Sequence, residues 1–191
     1  AVPEGGVTSA KGFAAAGIHA GFRPDPERLD MAVLVAEQPV SAAGVFTTNR
    51  FCAAPVQVCR EHLGGSAQGF GTAQGIVINS GNANAATGEP GRAIARQTCD
   101  IASQILGCDP AQILVASTGV IGQQLAIDCF ETGIPAAIDA ATADGGASAA
   151  RAIMTTDTHP KEYAVTYESG VLEYVDCSFT VGGMCKGSGM I

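Results

Sequence analysis

The sequence is poor in basic and aromatic residues. Its 191 residues include 10 Lys and Arg against 18 Asp and Glu, which gives a formal net charge of −8, and tryptophan is absent. Nucleic acids and anionic membranes are bound through clustered basic side chains, so this composition argues against both as partners. Aromatic residues make up 5% of the chain, too few for an interaction module built on aromatic anchors. An anionic substrate stays compatible, because one lysine or a helix N-terminus can outweigh the global charge.

Long apolar runs and paired cysteines are also lacking. No run approaches the ~20 apolar residues of a membrane-spanning helix, and the segment Ala1–Gly6 has no basic region followed by an apolar one, as a signal peptide would. The seven cysteines are odd in number and form no C-x-x-C pair, which argues against a disulfide framework and a zinc site. We therefore expect mostly buried, reduced thiols in a cytoplasmic protein. The histidines show no ligand spacing, so no metal site is predicted.

Strands and helices are predicted to intermingle along the chain. Residues 1–191 show no internal repeat or long linker, so they are predicted to form one unit. The pattern favours the α/β (or α+β) class with layered sheets and helices, without fixing the strand order. Residues Glu61–Gln74 are polar and glycine-rich, which predicts a loop. Apolar or alternating runs predict strands at Leu29–Glu37, Ala43–Thr48, Pro55–Cys59, Gly75–Ser80 and Ile113–Ser117.

Helix signals are clearest after residue 88. Pro90 near the start and Gly107 at the end bracket a helix, and its predicted apolar stripe runs through Ile94, Cys99 (or Thr98), Ile101 and Ile105. Further helices are predicted at Ile127–Thr132 and Asp144–Met154. The segments Glu162–Tyr167 and Val171–Thr180 predict a hairpin across Glu168–Gly170.

Three polar segments follow predicted strands or helices, where rigid scaffolds usually present functional groups. Ser117-Thr118-Gly119 at a strand end could offer a hydroxyl and N–H groups to a developing oxyanion, or could be a helix N-cap. The Asn-rich segment 79–88 is typical of turn chemistry, and Thr155–Asp157 is typical of a cap. No Ser-His-Asp arrangement can be assembled from these residues.

The last twelve residues, Thr180–Ile191, surround Lys186 with four glycines. The spacing from Gly182 to Gly187 resembles a phosphate-binding loop, but the lysine precedes the second glycine, so we exclude a nucleotide site. Glycines here allow tight turns or close backbone approach. Met190-Ile191 reads like the start of a buried strand rather than an exposed terminus. This predicts that the chain is one part of a larger protein.

Taken together, these segments resemble the glutamate N-acetyltransferase family, the ornithine acetyltransferases of arginine biosynthesis. The matching segments occur in the family's order over nearly the whole chain, and their combination is very specific. They are Gly44–Asn49, Ala54–Pro55, Ile78–Gly88, Ser117–Gly122, Ala152–Asp157 and Thr180–Ile191.

The resemblance implies a self-processed enzyme made of two chains. Family members cut themselves before a threonine, which becomes the N-terminal nucleophile of a β chain, with its own amine as general base. This chain would be the α chain, sharing a layered sheet core with the β chain in an α2β2 or higher oligomer. N-acetylornithine would acetylate that threonine and glutamate would then accept the acetyl group, in a ping-pong reaction. No cofactor is implied, although some members also use acetyl-CoA as donor.

The family's site residues carry over to four positions of this sequence. Thr118 and Gly119 match the oxyanion hole, and Thr155 and Lys186 match substrate-binding positions. The Lys186 ammonium suits a substrate carboxylate. Cys185 departs from the small alanine common in the family, and the small change in size favours a neutral substitution.

Two other interpretations stay open at this point. One is a related self-processing hydrolase similar to β-aminopeptidases, which would release an amino acid instead of transferring acetyl to glutamate. The other is a non-enzymatic domain that binds a small molecule through the glycine–lysine segment. That domain would fold and bind alone, whereas the acetyltransferase would depend on its β chain.

Overall fold

The computed structural model describes residues 1–65, 68–171 and 177–187, which form layers of strands and helices. The class is mixed α/β, as the sequence predicts. Within these ranges the strands and α-helices are, in chain order, β1 (Phe13–Ile18), β2 (Met31–Val45), α1 (Ala54–His62), β3 (Gln68–Asn82), α2 (Gly88–Leu106), β4 (Ile113–Val120), α3 (Ile127–Asp139), α4 (Gly146–Ala152), β5 (Lys161–Glu168) and β6 (Ser178–Cys185). No helix in these ranges is long and apolar enough to cross a membrane.

Strands β1 to β4 form one sheet in chain order. The pairs β1–β2 and β2–β3 are antiparallel, whereas β3 and β4 run parallel. The parallel pair is connected by helix α2, as parallel neighbours require a long crossover. Helices α1, α2 and α3 cover one face of the sheet, and the core there includes the fully buried residues Met31, Val58, Ile113 and Ile134.

The opposite face of the sheet is covered in part by the short helix α4. Ala149, Ala152 and Ile153 pack on Ala15 and Ala32 in a second apolar cluster, which Met184 of β6 joins. Alanine and glycine allow this close approach: a Cβ on Gly17 would lie 2.1 Å from the carbonyl oxygen of Ser148. Further along the same face, Leu34, Ile76, Ile78 and Leu114 are only half-buried.

Strands β5 and β6 form a separate antiparallel ribbon of two strands. One face carries the cross-strand pairs Val165–Val181 and Tyr167–Phe179, followed by Tyr163 opposite Gly183. These side chains are exposed, Val181 to 74% and Tyr163 to 63%. On the other face Ala164 is buried, and its carbonyl accepts a hydrogen bond from the N–H of Val2. We call the exposed surface the ribbon face.

Several predicted elements are confirmed. Gly75–Ser80 and Ile113–Ser117 lie within β3 and β4, and α2 begins at Gly88 and ends before Gly107, whose φ of 68° gives the left-handed cap. The predicted strands at Leu29–Glu37 and Ala43–Thr48 are largely one strand, β2, with a register irregularity between Val35 and Val40 around Pro39. The hairpin exists, but its second strand begins at Ser178, and residues 172–176 lie outside the described part.

Other predictions are wrong. Pro55–Cys59 is not a strand but lies in helix α1, because Ala54, Pro55, Val58 and Cys59 together form one buried helical face. Residues 68–74 of the predicted loop pair with β2 as the first half of β3. The apolar stripe of α2 is confirmed at Cys99, which is buried, and at Ile94 and Ile101, which pack against the core, but it is wrong at Ile105, which is 44% exposed. Only Cys59 and Cys99 of the seven free cysteines are buried.

Candidate active site

The carboxyl ends of β3 and β4 meet at one edge of the sheet because the two strands are parallel. In register, Ser80 lies opposite Thr118 and Gly81 lies opposite Gly119. Such an edge, where strand ends and following loops converge, is the usual position of ligand sites in α/β proteins. Ser117–Gly119 belong to β4 itself, which ends at Val120, so the alternative reading of this triplet as a helix N-cap is wrong.

Gly119 is held in a conformation that suits glycine. Its φ is +149°, and a Cβ built on it would lie 2.2 Å from the carbonyl carbon of Gly81 and 2.5 Å from the nitrogen of Asn82. Any side chain would therefore push β3 and β4 apart at this edge. Thr118 beside it is half-buried, and no hydrogen bond joins its hydroxyl to the described part of the chain. The hydroxyl is thus available to a ligand.

The Asn-rich segment after β3 is built from its own side chains. Asn82 accepts the N–H of Asn84 at 2.8 Å and donates to the carbonyl of Gln123 at 3.0 Å. Asn84 has a φ of 47° and donates to Gly91 at 2.9 Å, which ties the turn to the start of α2. Both asparagines are buried. This is the turn chemistry that the sequence suggests, and it fixes the loop next to Thr118 and Gly119.

Ser80 connects this edge of the sheet to helix α4. Its buried hydroxyl donates to the carbonyl of Ala152 at 2.8 Å. The Arg23 guanidinium reaches Ser80 Oγ at 3.4 Å and the carbonyl of Met154 at 3.1 Å. Burial lowers the pKa of Arg23 from its usual value, with the nearby Arg28 adding to the effect and Asp30 opposing it. Buried Asp30 holds the Arg23 backbone by accepting its N–H at 2.9 Å.

Thr155 follows Met154 directly in the chain, and two hydrogen bonds fix its backbone. The Arg28 guanidinium donates to its carbonyl at 3.1 Å, and its N–H donates to Asp157 at 3.1 Å. Its hydroxyl oxygen is buried, and no hydrogen-bond partner for it is found among the described residues. A buried hydroxyl without a partner costs ~1–3 kcal/mol. Thr155 is therefore a position where a further polar group would be stabilising.

The Asp157 carboxylate gathers three donors. Oδ2 accepts the Thr155 N–H, and Oδ1 accepts the Gly187 N–H at 2.7 Å together with the Lys161 ammonium. The side chain itself is fully buried. The hydrogen bond from Lys161 is the largest cause that holds the pKa of Asp157 well below its usual range, and the Gly187 N–H adds to it.

Lys186 is half-buried and lies between the end of β6 and Gly187. The four residues before it, Gly182 to Cys185, belong to β6, so the expected glycine–lysine loop is largely a strand. Gly182 is required there because a Cβ would lie 2.0 Å from the carbonyl oxygen of Gly6. Residues 188–191, including the apolar ending, lie outside the described residues. A groove of about 350 Å³ on the ribbon is lined by Lys161, Tyr163 and Cys185, among others.

The four residues singled out by sequence are thus connected by a series of contacts. Thr118 lies opposite Ser80 in the sheet. Ser80 contacts Arg23 and the carbonyl of Ala152, and Arg23 also donates to the carbonyl of Met154, the residue before Thr155. Asp157 accepts the N–H groups of Thr155 and of Gly187, the residue after Lys186. Sequence reasoning missed Arg23, Ser80 and Asp30. A charged residue directly before a buried strand, as Asp30 is before β2, is the one signal that could have pointed to this network. Within the described ranges no group of His, Cys, Asp and Glu is placed to hold a metal ion.

Comparison with known proteins identifies the family of this chain. The model of the ArgJ family matches residues 14–191. The chain belongs to the ArgJ family. It is 48% identical over 187 residues to the arginine biosynthesis bifunctional protein ArgJ of Thermosynechococcus vestitus, covering 98% of this chain and 42% of that protein. The ArgJ protein of Gloeobacter violaceus is 47% identical over 188 residues, covering 98% of this chain and 44% of the relative. The chain therefore spans less than half the length of these ArgJ relatives.

Solved ArgJ structures share the fold. The crystal structure of ornithine acetyltransferase from Mycobacterium tuberculosis, in complex with ornithine, superposes with a TM-score of 0.86 and 36% identity, covering 100% of this chain and 95% of that one. The ArgJ structure from Bacillus halodurans gives a TM-score of 0.85 with 36% identity, covering 100% and 94%. The layered α/β fold is thus that of ArgJ proteins.

Proposed function

We propose that this chain is the α chain of an enzyme that transfers an acetyl group from N-acetylornithine to glutamate. The observation that carries the proposal is the likeness, over the whole chain, to a solved ornithine acetyltransferase. The spatial connection of Thr118, Gly119, Thr155 and the Lys186 segment adds support, since these are the positions that match the family's site. The protein would act in the cytoplasm, in arginine biosynthesis.

The chemistry divides between two chains. The N-terminal threonine of a β chain would attack the amide carbonyl of N-acetylornithine, with its hydroxyl proton passing to its own α-amine. Ornithine would leave as the amine after taking up that proton. The amine of glutamate would then attack the acetyl-threonine ester and give up a proton to the threonine α-amine. The bond from the acetyl carbon to the threonine Oγ would break, Oγ would take up that proton, and N-acetylglutamate would be released. Each step passes through a tetrahedral oxyanion, which the Thr118 hydroxyl and the Gly119 N–H would stabilise.

Thr155 and Lys186 would bind the amino-acid part of both substrates. The ammonium of Lys186 is a compact charge that suits a carboxylate. The overall charge of −8 does not prevent this, because a local lysine dominates at short range. No cofactor is needed for the transfer, and acetyl-CoA would be an alternative acetyl donor.

Two features support a β-chain partner. The curated relatives are more than twice as long as the stretch that matches this chain. The solved chains, by contrast, are about as long as this chain, which covers 94% and 95% of them. The ribbon of β5 and β6 and the half-buried side chains of Leu34 and Ile76 also leave apolar surface exposed. A two-stranded sheet is marginally stable alone, so further strands from the β chain would complete it. We propose that residues 1–191 form one unit with that chain, in an α2β2 or higher oligomer.

The test is an assay of the complete two-chain protein with N-acetylornithine and glutamate. We expect N-acetylglutamate to form, and Thr118→Ala to slow the transfer by about 10²-fold or more through loss of an oxyanion donor. Ser117→Ala is the matched control, because successive side chains of a strand point to opposite faces. Equal loss in both variants, or none in Thr118→Ala, would remove Thr118 from this role. Replacing N-acetylornithine by acetyl-CoA tests the alternative donor.

A further inference from the structure

The Asp157 side chain lies between the segments that carry Thr155 and Lys186. Asp157 accepts the Thr155 N–H at 3.1 Å and the Gly187 N–H at 2.7 Å, so one carboxylate spans the two segments that carry Thr155 and Lys186. The same Oδ1 that accepts Gly187 also accepts the Lys161 ammonium. Three donors converge on one buried side chain.

Only an ionised carboxylate can serve all three donors at once. Its two oxygens are both acceptors, whereas an asparagine would replace one oxygen with an NH2 group that faces an N–H or an ammonium. Hydrogen bonds to an ionised acceptor are also about twice as strong as neutral ones. Replacement of this oxygen pair by an amide therefore breaks at least one side of the link while leaving the size of the side chain unchanged.

The link holds the segment of Lys186 in place. Thr155 is fixed from the sheet side as well, because Arg28 donates to its carbonyl and Arg23 donates to that of Met154. Gly187 lies beyond the last ladder pair of β6, Cys185 with Lys161, and has a φ of +139°. The contact with Asp157 thus fixes the backbone next to Lys186 at a point where the strand no longer does.

Charge gives Asp157 a second effect. Lys161 lies opposite Cys185, the residue before Lys186, in the ribbon. Asp157 neutralises the ammonium of Lys161 by direct contact. Without it, a second cation beside Lys186 would compete for an incoming carboxylate and change the way it binds.

We propose that Asp157 is a positioning residue that fixes Lys186 against Thr155 and thereby sets recognition of the α-carboxylate of the amino-acid substrates. This rests on the proposed acetyl transfer and on the role of Lys186 in it. Asp157 contributes neither the nucleophile nor the oxyanion hole. Loss of Asp157 should therefore weaken the binding of substrates that carry the α-carboxylate and leave the reaction of acetyl donors that lack it nearly unchanged.

The experiment compares two donors that differ only in this group, using the complete two-chain enzyme. N-acetylputrescine is N-acetylornithine without its α-carboxylate. For Asp157→Asn we expect KM for N-acetylornithine to rise about 10- to 100-fold, the range of a displaced charge-assisted hydrogen bond, with kcat changed less. Acetylation by N-acetylputrescine, and by 4-nitrophenyl acetate where the amide is too slow, should stay within about threefold of the unchanged enzyme.

Two further variants separate the possible causes. Lys161→Met removes the ion pair but leaves both backbone N–H contacts, so its KM should rise less than that of Asp157→Asn. If it rises as much, the ion pair and not the backbone link is responsible, and the proposal is wrong. Asp139→Asn, at an exposed position at the end of α3, is the control for removal of one negative charge and should leave KM unchanged.

The outcomes also distinguish this proposal from the one it rests on. If the unchanged enzyme transfers no acetyl group from N-acetylornithine to glutamate, the proposed function fails. If it does, but Asp157→Asn loses activity equally with all donors or with none, Asp157 has only a structural role or none. Thermal unfolding of each variant shows whether an equal loss of activity reflects misfolding. If Asp157→Asn does not fold, the KM of the folded Lys161→Met variant still decides whether the ion pair or the backbone link is responsible.

Discussion

The four-stranded sheet and the two-stranded ribbon bury their apolar side chains to different extents. The sheet buries Met31, Val33 and Ile113 almost completely beneath α1, α2 and α3. The ribbon instead exposes Val165, Val181 and three aromatic side chains on one face. Both regions follow the alternation of a strand, but only the sheet has a layer of helices above its apolar face. The difference shows that the sheet builds its own core, whereas the ribbon leaves the apolar side chains of its ribbon face exposed among the described residues.

The largest expected contrast between the two regions is the reactivity of their thiols. Cys99 in α2 is buried against the sheet, and burial raises its pKa to about 12, with the nearby Cys59 and Asp100 adding to the effect. At pH 8 such a thiol has about 10³-fold less thiolate than a model cysteine of pKa ~8.5. Cys185, by contrast, is exposed on the ribbon face.

Alkylation of the native protein followed by mass spectrometry measures this contrast. We expect Cys177 and Cys185 to be modified first and Cys99 to be modified at least ~10³-fold more slowly. Cys59, whose pKa is also raised by burial, should be modified more slowly than the exposed thiols. Protection of Cys185 after assembly with the β chain would show that the partner covers the ribbon face. Equal rates at Cys99 and Cys185 would contradict the contrast, because the sheet core would then open as readily as the ribbon.

A smaller contrast is expected in the free energy of unfolding when a glycine of each region is replaced by alanine. At Gly119 a Cβ would meet the backbone of Gly81 at 2.2 Å, and the φ of +149° disfavours any side chain, whereas a Cβ on Gly183 of the ribbon meets nothing within 4 Å. Gly119→Ala should lower the free energy of unfolding by ~2–3 kcal/mol, from strain and overpacking. Gly183→Ala should stay within ~0.5 kcal/mol.

Urea unfolding of both variants, followed by circular dichroism, gives the comparison. The same substitution is made twice, so any general cost of alanine in a strand appears in both. A loss at Gly183 that equals the loss at Gly119 would mean that the ribbon is packed as tightly as the sheet edge, contrary to the exposed surface around Gly183.

How much of this could be predicted from the sequence depends on how local each feature is. The strands at Gly75–Ser80 and Ile113–Ser117 are continuous apolar runs, and Pro90 and Gly107 mark the ends of α2, so local signals were sufficient. Pro55–Cys59 is short enough for its apolar residues to fit either period, and packing of α1 against β4 decides in favour of a helix. Pairing of residues 68–74 with β2 is likewise a tertiary effect that a glycine-rich composition hides.

The candidate site shows the same limit more sharply. Thr118, Gly119, Thr155 and Lys186 were found through family motifs, which are local in sequence. Arg23 reaches Met154 across 131 positions of the chain, and Gly187 reaches Asp157 across 30. No spacing rule predicts such contacts, because they arise only when the sheet, α4 and the ribbon have come together. The motifs therefore name the candidate site residues, and the fold shows which contacts hold their backbone in place.

The smallest expected effect, and the most direct test of the contrast, compares two valines. Val33 of the sheet is 1% exposed and Val181 of the ribbon is 74% exposed. Val33→Ala removes two buried methyl groups and should lower the free energy of unfolding by ~2 kcal/mol. Val181→Ala should change it by less than ~0.5 kcal/mol where the ribbon face is exposed to water.

Assembly with the β chain should reduce this difference. If the partner covers the ribbon face, Val181 becomes buried, and Val181→Ala should then lower the free energy of unfolding by ~1 kcal/mol or more. Urea unfolding of the α chain alone and of the two-chain protein gives both values. Should the α chain not fold alone, the two-chain protein still decides, because a Val181→Ala variant as stable as the unchanged protein would mean that the β chain leaves the ribbon face in water. The exposed valines would then mark the contact between α chains of the larger oligomer, or a surface that stays free.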